Sequence, residues 1–176
     1  MGECLIIKCD ESHLDALADF YDKITEYLDR TINYPLWTPH VYPGRESIAK
    51  AISEKVQYAC FKDGIIVGAF VFNDDPQGNY SKGDWEKNLA DGEYKVIHAL
   101  AVSTDMSRKG IGKRMVKYCI DLAKEEGYKG IRLDVVPTNI PAKKLYENSG
   151  FKFAGEKDLE RGFENIPTFS LYEFNF

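Results

Sequence analysis

Short apolar runs separated by polar turns are the main pattern of this chain. Asp63-Gly64 between two such runs predicts a tight hairpin, because both residues tolerate positive φ angles. Seven runs rich in β-branched and aromatic residues predict strands at Leu5–Lys8, Val56–Lys62, Ile65–Phe72, Glu93–Val102, Ile131–Val135, Phe151–Glu156 and Thr168–Phe176.

Helical spacing of apolar residues predicts about four helices between these strands. The first contains apolar positions 14, 17, 18, 21, 24 and 28, and Ser12 with Asp15 resembles a capping box before it. The others are predicted at Arg45–Glu54, Gly110–Glu126 and Ile140–Ser149, the last two ended by Gly127 and Gly150. The order predicts one α/β domain of the α+β type over residues 1–176, with a mixed, largely antiparallel sheet of about seven strands.

The composition excludes several classes of protein. The chain has 176 residues, is 44% hydrophobic and 29% charged, and carries a net charge of −5, which argues against a general nucleic-acid binder. No apolar run approaches a membrane span and no signal sequence is recognisable, so a cytoplasmic protein without a membrane partner is expected. The cysteines form no C-x-x-C pair, and no metal site is predicted.

The most informative segment is the strand ending at Val102 and the turn that follows it. Ser107–Lys117 contains five cations and no acid in an acidic chain. Gly110 and Gly112 let a ligand approach the backbone, and the helix that follows offers unpaired amides and a positive dipole end. The segment therefore predicts a phosphate-binding cradle, with a solvated basic face as the alternative.

Two other phosphate motifs fit this segment poorly. The chain contains no G-x-x-x-x-G-K-[ST] sequence. In a dinucleotide fingerprint, Met115 would occupy the third glycine position, and seven residues separate Val102 from Gly110. Asp134 lies 22 residues after Gly112, where a ribose-binding acid would stand, but this agreement alone is weak.

The predicted order and the glycine turn resemble the GNAT family of acetyl-CoA-dependent N-acetyltransferases. Leu100-Ala101-Val102 followed by Ser107–Gly112 is similar to the family's Q/R-x-x-G-x-G/A loop, with Ser107 where Gln or Arg is usual. The resemblance implies that acetyl-CoA is bound by Leu100, Ala101, Val102, Ser107, Arg108, Lys109, Gly110, Ile111, Gly112 and Lys113.

A second segment resembles the distal acyl-CoA segment of the same family. Asn139 to Phe151 follows the pattern N-x-x-A-x-x-L-Y-x-x-x-G-F. The resemblance implies that Asn139 contacts CoA and that Tyr146 lies beside its sulfur and returns a proton to the leaving thiolate. The alternatives are that Asn139 only caps a helix and that Tyr146 is a core residue.

The general base is predicted on the strand that enters the turn. Strand alternation places His98 on the same side as Val96, Leu100 and Val102. Val96–Val102 is similar to the His-Leu-His-Ala-Leu-Ala-Val run of arylalkylamine acetyltransferases, with Val96 replacing the first histidine. His98 is the first candidate base, with a structural histidine as the alternative, and Glu93 is a weaker candidate.

Aromatic residues on two predicted loops are the candidates for binding the amine acceptor. The acceptor is expected to be a small molecule or a peptide. Tyr34, Trp37 and Tyr42 lie in one predicted loop and Trp85 in another, although they could equally anchor the loops or form a dimer surface. The chain is expected to be a monomer or a homodimer. Two other functions stay open: a non-catalytic acyl-CoA-binding or sensing module, and a peptide-binding domain.

Overall fold

The computed structural model describes residues 4–176. Within that range the chain forms β1 (Leu5–Lys8), α1 (Leu14–Arg30), α2 (Arg45–Ser53), β2 (Gln57–Lys62), β3 (Ile65–Asn73), β4 (Tyr94–Val102), α3 (Ile111–Glu125), β5 (Gly130–Val135), α4 (Ile140–Glu147), β6 (Lys152–Lys157) and β7 (Phe169–Asn175). The strands form one sheet in the order β1-β2-β3-β4-β5-β7-β6. The predicted α/β class, with seven strands and four helices, is confirmed over the described residues.

The strand pairings show how the sheet is assembled. β1 with β2, β2 with β3, β5 with β7, and β6 with β7 are antiparallel, whereas β4 and β5 are parallel. The predicted hairpin joins β2 and β3, and Asp63 and Gly64 both have positive φ angles, 51° and 76°. The sheet is therefore mixed, as the element order predicts.

The chain divides into two compact units. The first comprises the residues up to Phe72 together with His98–Tyr118. Its core is built where the apolar face of α1 meets α2 and β2, because the helical spacing of α1 gathers its large side chains on one stripe. Leu17 and Tyr21 are fully buried in this core, and Ala101 of β4 belongs to it.

The second unit comprises Asn73–Ile97 and Cys119–Phe176. Its core contains Tyr80, Tyr94, Val96, Ala154, Leu159, Phe169 and Leu171. Buried Arg132 lies between the rings of Trp85 and Tyr94, with its guanidinium carbon 4.2 and 4.4 Å from their centroids. The long segment before β4 is thereby tied to β5, although it contains little regular structure.

The beginning of α1 differs from the prediction. Asp10, not Ser12, is the capping residue: its side chain accepts a hydrogen bond from the Ser12 amide at 2.9 Å, and His13 completes the capping box. A short 3-10 turn over Glu11–His13 precedes the helix and moves the cap two residues towards the N-terminus. None of the helices in residues 4–176 has the length and apolarity needed to span a bilayer.

Candidate functional site

The segment between β4 and α3 turns twice through left-handed backbone. A 3-10 turn over Thr104–Met106 follows β4, and Arg108 and Gly110 then adopt φ angles of 62° and 80°. A left-handed conformation costs an L-residue roughly 1–2 kcal/mol and costs glycine almost nothing. The glycine therefore stands where the backbone needs it.

The first turn of α3 has amides available to a ligand. The first helical hydrogen bond runs from the Arg114 amide to the Gly110 carbonyl at 3.0 Å. The amides of Ile111, Gly112 and Lys113 precede it and have no acceptor inside the helix. A β-carbon placed on Gly110 would meet nothing within 4 Å, so the surface above the turn is open. Exposed cations surround this turn at Arg108, Lys109, Lys113 and Arg114.

Close packing against the sheet fixes the position of this helix. Ile111 and Met115 are buried on the face of α3 that meets β3. A β-carbon on Gly68 of β3 would lie 2.8 Å from the Met115 sulfur, so a larger residue there would require the Met115 side chain to move. The first turn of α3 is thus held by apolar contacts, which leaves its amides and cations available for an anion.

β4 contains an interruption that strand alternation does not predict. Ala99, which follows His98, has a φ angle of 49° within the strand. One residue in this conformation breaks the alternation of side chains, as in a β-bulge. Regular alternation therefore does not continue across Ala99, and the common side for His98, Leu100 and Val102 stays a prediction. The His98 residue is 9% exposed.

The Tyr21 hydroxyl donates to the Ala99 carbonyl at 2.8 Å. Sequence reasoning places Tyr21 correctly on the buried face of α1, but it misses this contact. The two residues are 78 positions apart, and no local pattern indicates that a buried tyrosine hydroxyl reaches a particular carbonyl.

Glu93 lies immediately before β4, and its carboxylate is hydrogen-bonded to other residues. Its carboxylate accepts hydrogen bonds from the Lys129 ammonium and from the Ala90 amide, the latter at 2.8 Å. The contact with Lys129, followed by that with Ala90, lowers the pKa of Glu93 below its usual value. A carboxylate with a lowered pKa is a weaker proton acceptor, which makes Glu93 less suited to act as a base.

The start of α4 is closed by its own cap. Asn139 accepts a hydrogen bond from the Ala142 amide at 3.2 Å, so the predicted capping role is confirmed. Gly150 has a φ of 93° and ends this segment as predicted.

Tyr146 is buried on α4 and packs edge-on against Phe151, with ring centroids 5.5 Å apart. Burial raises the pKa of its phenol, and nearby Cys119 and Asp134 raise it further. The phenol therefore stays protonated at neutral pH, as a proton donor must.

Asp134 is fully engaged in a polar cluster of the second unit. Arg161 donates to both of its carboxylate oxygens, at 2.7 and 2.8 Å, and the Tyr80 hydroxyl donates at 2.6 Å. Arg161 also donates to the carbonyls of Pro76 and Gln77. The cluster fixes the segment before β4, and an aspartate with these partners does not fit the ribose-binding role of a dinucleotide fingerprint. Nothing in the sequence around Asp134 predicts this cluster.

The loop between α1 and α2 is ordered by side chains. Asn33 exchanges two hydrogen bonds with the backbone of Trp37, whose ring lies edge-on to Tyr21 and Tyr42. His40 lies 3.2 Å from both Asp22 and Glu26 of α1. The predicted substrate-binding residues Tyr34 and Trp37 are partly buried and Tyr42 is exposed.

Trp85, the fourth predicted substrate-binding residue, is a structural anchor in the other unit. Its indole donates to the Tyr80 carbonyl at 2.6 Å, and Arg132 packs on its ring.

The predicted site residues fall into two groups. The first unit contains His98, the strand end Leu100–Val102, the turn Ser107–Lys113 and the loop residues Tyr34, Trp37 and Tyr42, whereas the second contains Glu93, Trp85, Asn139 and Tyr146. Residues 4–176 contain no group of three or more His, Cys, Asp or Glu placed to hold a metal ion.

The fold is a mixed α/β fold with an open, basic turn between β4 and α3. A family model described as "Acetyltransferase (GNAT) family" matches residues 15–151. The chain belongs to this family. No curated protein sequence matches the chain significantly.

Solved structures of bacterial acetyltransferases share the fold. A GNAT acetyltransferase from Streptococcus agalactiae has 15% identity, with 98% of this chain and 95% of that chain covered and a TM-score of 0.79. One from Listeria monocytogenes has 19% identity, with the same coverage and a TM-score of 0.75. The ribosomal-protein-S18-alanine N-acetyltransferase of Escherichia coli has 16% identity, with 98% and 94% covered and a TM-score of 0.65.

Proposed function

We propose that this protein transfers the acetyl group of acetyl-CoA to a primary amine of a small molecule or peptide. The main support is the turn before α3, where Gly110 adopts a φ of 80°, the space above it is open and exposed cations flank the first helical turn. This is the arrangement that a pyrophosphate requires, and membership of the GNAT family supplies the acyl-CoA context.

The cofactor would be held mainly by backbone groups. Amides of Gly110–Lys113 would bind the pyrophosphate, with Arg108 and Lys109 adding positive charge, so that Ser107 in place of Gln or Arg removes only one side-chain contact. The backbone of Leu100–Val102 would face the pantetheine arm. Asn139 retains two amide donors beyond its capping contact and would use them on CoA.

The acceptor amine must lose a proton before it attacks. Bringing an amine with a pKa near 10.4 to its neutral form at pH 7 costs about 4–5 kcal/mol. We propose His98 as the base because it lies on β4 directly before the interruption, whereas Glu93 is held by Lys129 and has a lowered pKa. The neutral nitrogen would then attack the thioester carbonyl carbon directly.

The remaining steps complete the transfer. As the C–N bond forms, the backbone amide near Val102 would stabilise the oxyanion. The C–S bond then breaks, the nitrogen loses its second proton to solvent, and the Tyr146 phenol donates its proton to the departing thiolate and regains one from solvent. Tyr146 has this proton to give, because a phenol is protonated at the pH where the amine reacts.

Two measurements test the function. CoA at 100 times its Kd would add about 2.7 kcal/mol to the stability of the protein, which raises the melting temperature by several degrees. Thiol release from acetyl-CoA, measured with aryl amines, polyamines, aminoglycosides, amino acids and peptide N-termini, would then identify the acceptor. A rise in melting temperature without thiol release for any amine would favour the non-catalytic acyl-CoA-binding module. No rise in melting temperature would contradict both that module and the acetyltransferase.

A further inference from the structure

Tyr21, in the core of the first unit, contacts the backbone of β4. It lies on α1, is fully buried, and donates its hydroxyl proton to the Ala99 carbonyl at 2.8 Å. Burial raises the pKa of this phenol, so it keeps the proton that it donates. The phenol is therefore held in the core of the first unit by burial and by this one hydrogen bond.

The contact is made at the strained residue of β4. Ala99 adopts φ 49°, a conformation that L-residues avoid and that persists only where surrounding structure enforces it. The hydrogen bond from Tyr21 holds the carbonyl of this residue and hence fixes the orientation of the peptide that follows it. The proposed base His98 lies on one side of Ala99, and the Leu100–Val102 backbone, proposed to face the pantetheine arm, lies on the other. The positions of both therefore depend on the geometry of this peptide.

Tyr21 also contacts the loop between α1 and α2. The Trp37 ring lies edge-on to Tyr21, with centroids 6.3 Å apart, and Tyr42 lies edge-on to Trp37 at 6.4 Å. Asn33 pins the Trp37 backbone from within the same loop. A continuous chain of packed rings thus runs from an exposed loop residue to the phenol that holds Ala99.

We propose that Tyr21 is a positioning residue that sets the β4 interruption for acetyl transfer and couples it to the aromatic loop through Trp37. The inference rests on the proposed function. Tyr21 does not touch the reacting atoms: it fixes the backbone between His98 and Leu100. Its loss should therefore slow turnover and leave acetyl-CoA binding intact, because the cradle before α3 does not include it.

The test removes the hydroxyl alone, in Tyr21→Phe. We expect kcat to fall roughly 10-fold with the KM for acetyl-CoA changed by less than about twofold, since small displacements of reacting groups carry penalties of this order. Amide hydrogen exchange at Ala99–Ala101 should become faster in the same variant. Thr25→Val is the matched control: it removes another buried hydroxyl of α1, which contacts the Tyr21 and Asp22 carbonyls, and should keep wild-type kcat.

A second substitution separates positioning from general stability. Glycine adopts positive φ without penalty, so Ala99→Gly added to Tyr21→Phe should recover part of the lost kcat. Wild-type kcat and exchange rates in Tyr21→Phe, or an equal loss in Thr25→Val, would overturn the inference and leave the proposed function standing. A wild-type protein that binds no CoA would instead overturn the proposed function, and the inference with it.

Discussion

The helices α3 and α4 both carry residues of the proposed site, yet they begin in opposite ways. At α4 the side chain of Asn139 accepts from the Ala142 amide, and Pro141 in the first turn has no amide to offer. At α3 the preceding residue is Gly110, which has no side chain with which to cap the helix. Both helices have a positive dipole at the N-terminus. Of the two, α3 lacks a capping side chain from the preceding residue, so its first amides are available to a ligand.

This difference indicates that α3 and α4 have different roles in the proposed function. The open start of α3 is suited to hold an anion, and the cations around it reinforce that use. The closed start of α4 instead fixes the helix itself, so that Tyr146, two turns later, is buried in a defined place. We therefore expect changes at α3 to affect cofactor affinity and changes on α4 to affect chemistry or stability.

The largest effect is expected on α4. Tyr146→Phe should lower turnover by about 10-fold to 1000-fold, because the thiolate would leave without its proton donor, while CoA affinity stays nearly unchanged. Steady-state kinetics together with calorimetric CoA titration would check both parts.

Tyr80→Phe is the control for this substitution. It also deletes a buried tyrosine hydroxyl, here one that donates to Asp134, and should cost about 1 kcal/mol of stability with turnover preserved. Full turnover in Tyr146→Phe would exclude Tyr146 from the mechanism.

An intermediate effect is expected at the open end of α3. Replacing Lys109 and Lys113 by Gln should weaken CoA binding roughly 10-fold and reduce its dependence on salt, because charge-assisted contacts to phosphate are lost. The same change of net charge at Lys23 and Lys50, on α1 and α2, should leave affinity unchanged. Equal losses in both double variants would assign the effect to net charge instead of to the turn.

The smallest effect is expected at the closed end of α4. Asn139→Ala should lower the free energy of unfolding by about 1 kcal/mol, the usual cost of losing a side-chain cap. Asn139→Asp keeps the capping oxygen but loses the amide donors, so thermal melting should be preserved while CoA affinity falls. If Asn139→Asp binds CoA normally, Asn139 acts as a cap only.

Local patterns were sufficient for most of the fold. The spacing of apolar residues placed most helix and strand ends within two residues of those observed, and Asp63-Gly64 marked its hairpin. These features depend on neighbours in sequence. The sequence does not distinguish Asp10 from Ser12 as the cap before α1, because both are good capping residues and the 3-10 turn that decides between them has no clear sequence signature.

Features that depend on distant contacts could not be predicted in this way. The interruption at Ala99 is supported by Tyr21, and the partners of Asp134 include Arg161, 27 residues further along the chain. The glycine turn before α3 was predictable because its signal, glycines among cations at a helix start, lies within one short segment. In contrast, the sequence near Glu93 does not show that its carboxylate is paired, because its partner Lys129 lies 36 residues further along the chain.

The most direct test of the cradle compares the two ends of α3. Gly110 and Gly127 have φ angles of 80° and 83°, and a β-carbon at either would meet nothing within 4 Å, so alanine should cost each end about 1 kcal/mol of stability. Calorimetric titration with CoA should show affinity reduced at least about fivefold in Gly110→Ala and unchanged in Gly127→Ala. Equal affinities in the two variants would contradict the assignment of this turn as the pyrophosphate site.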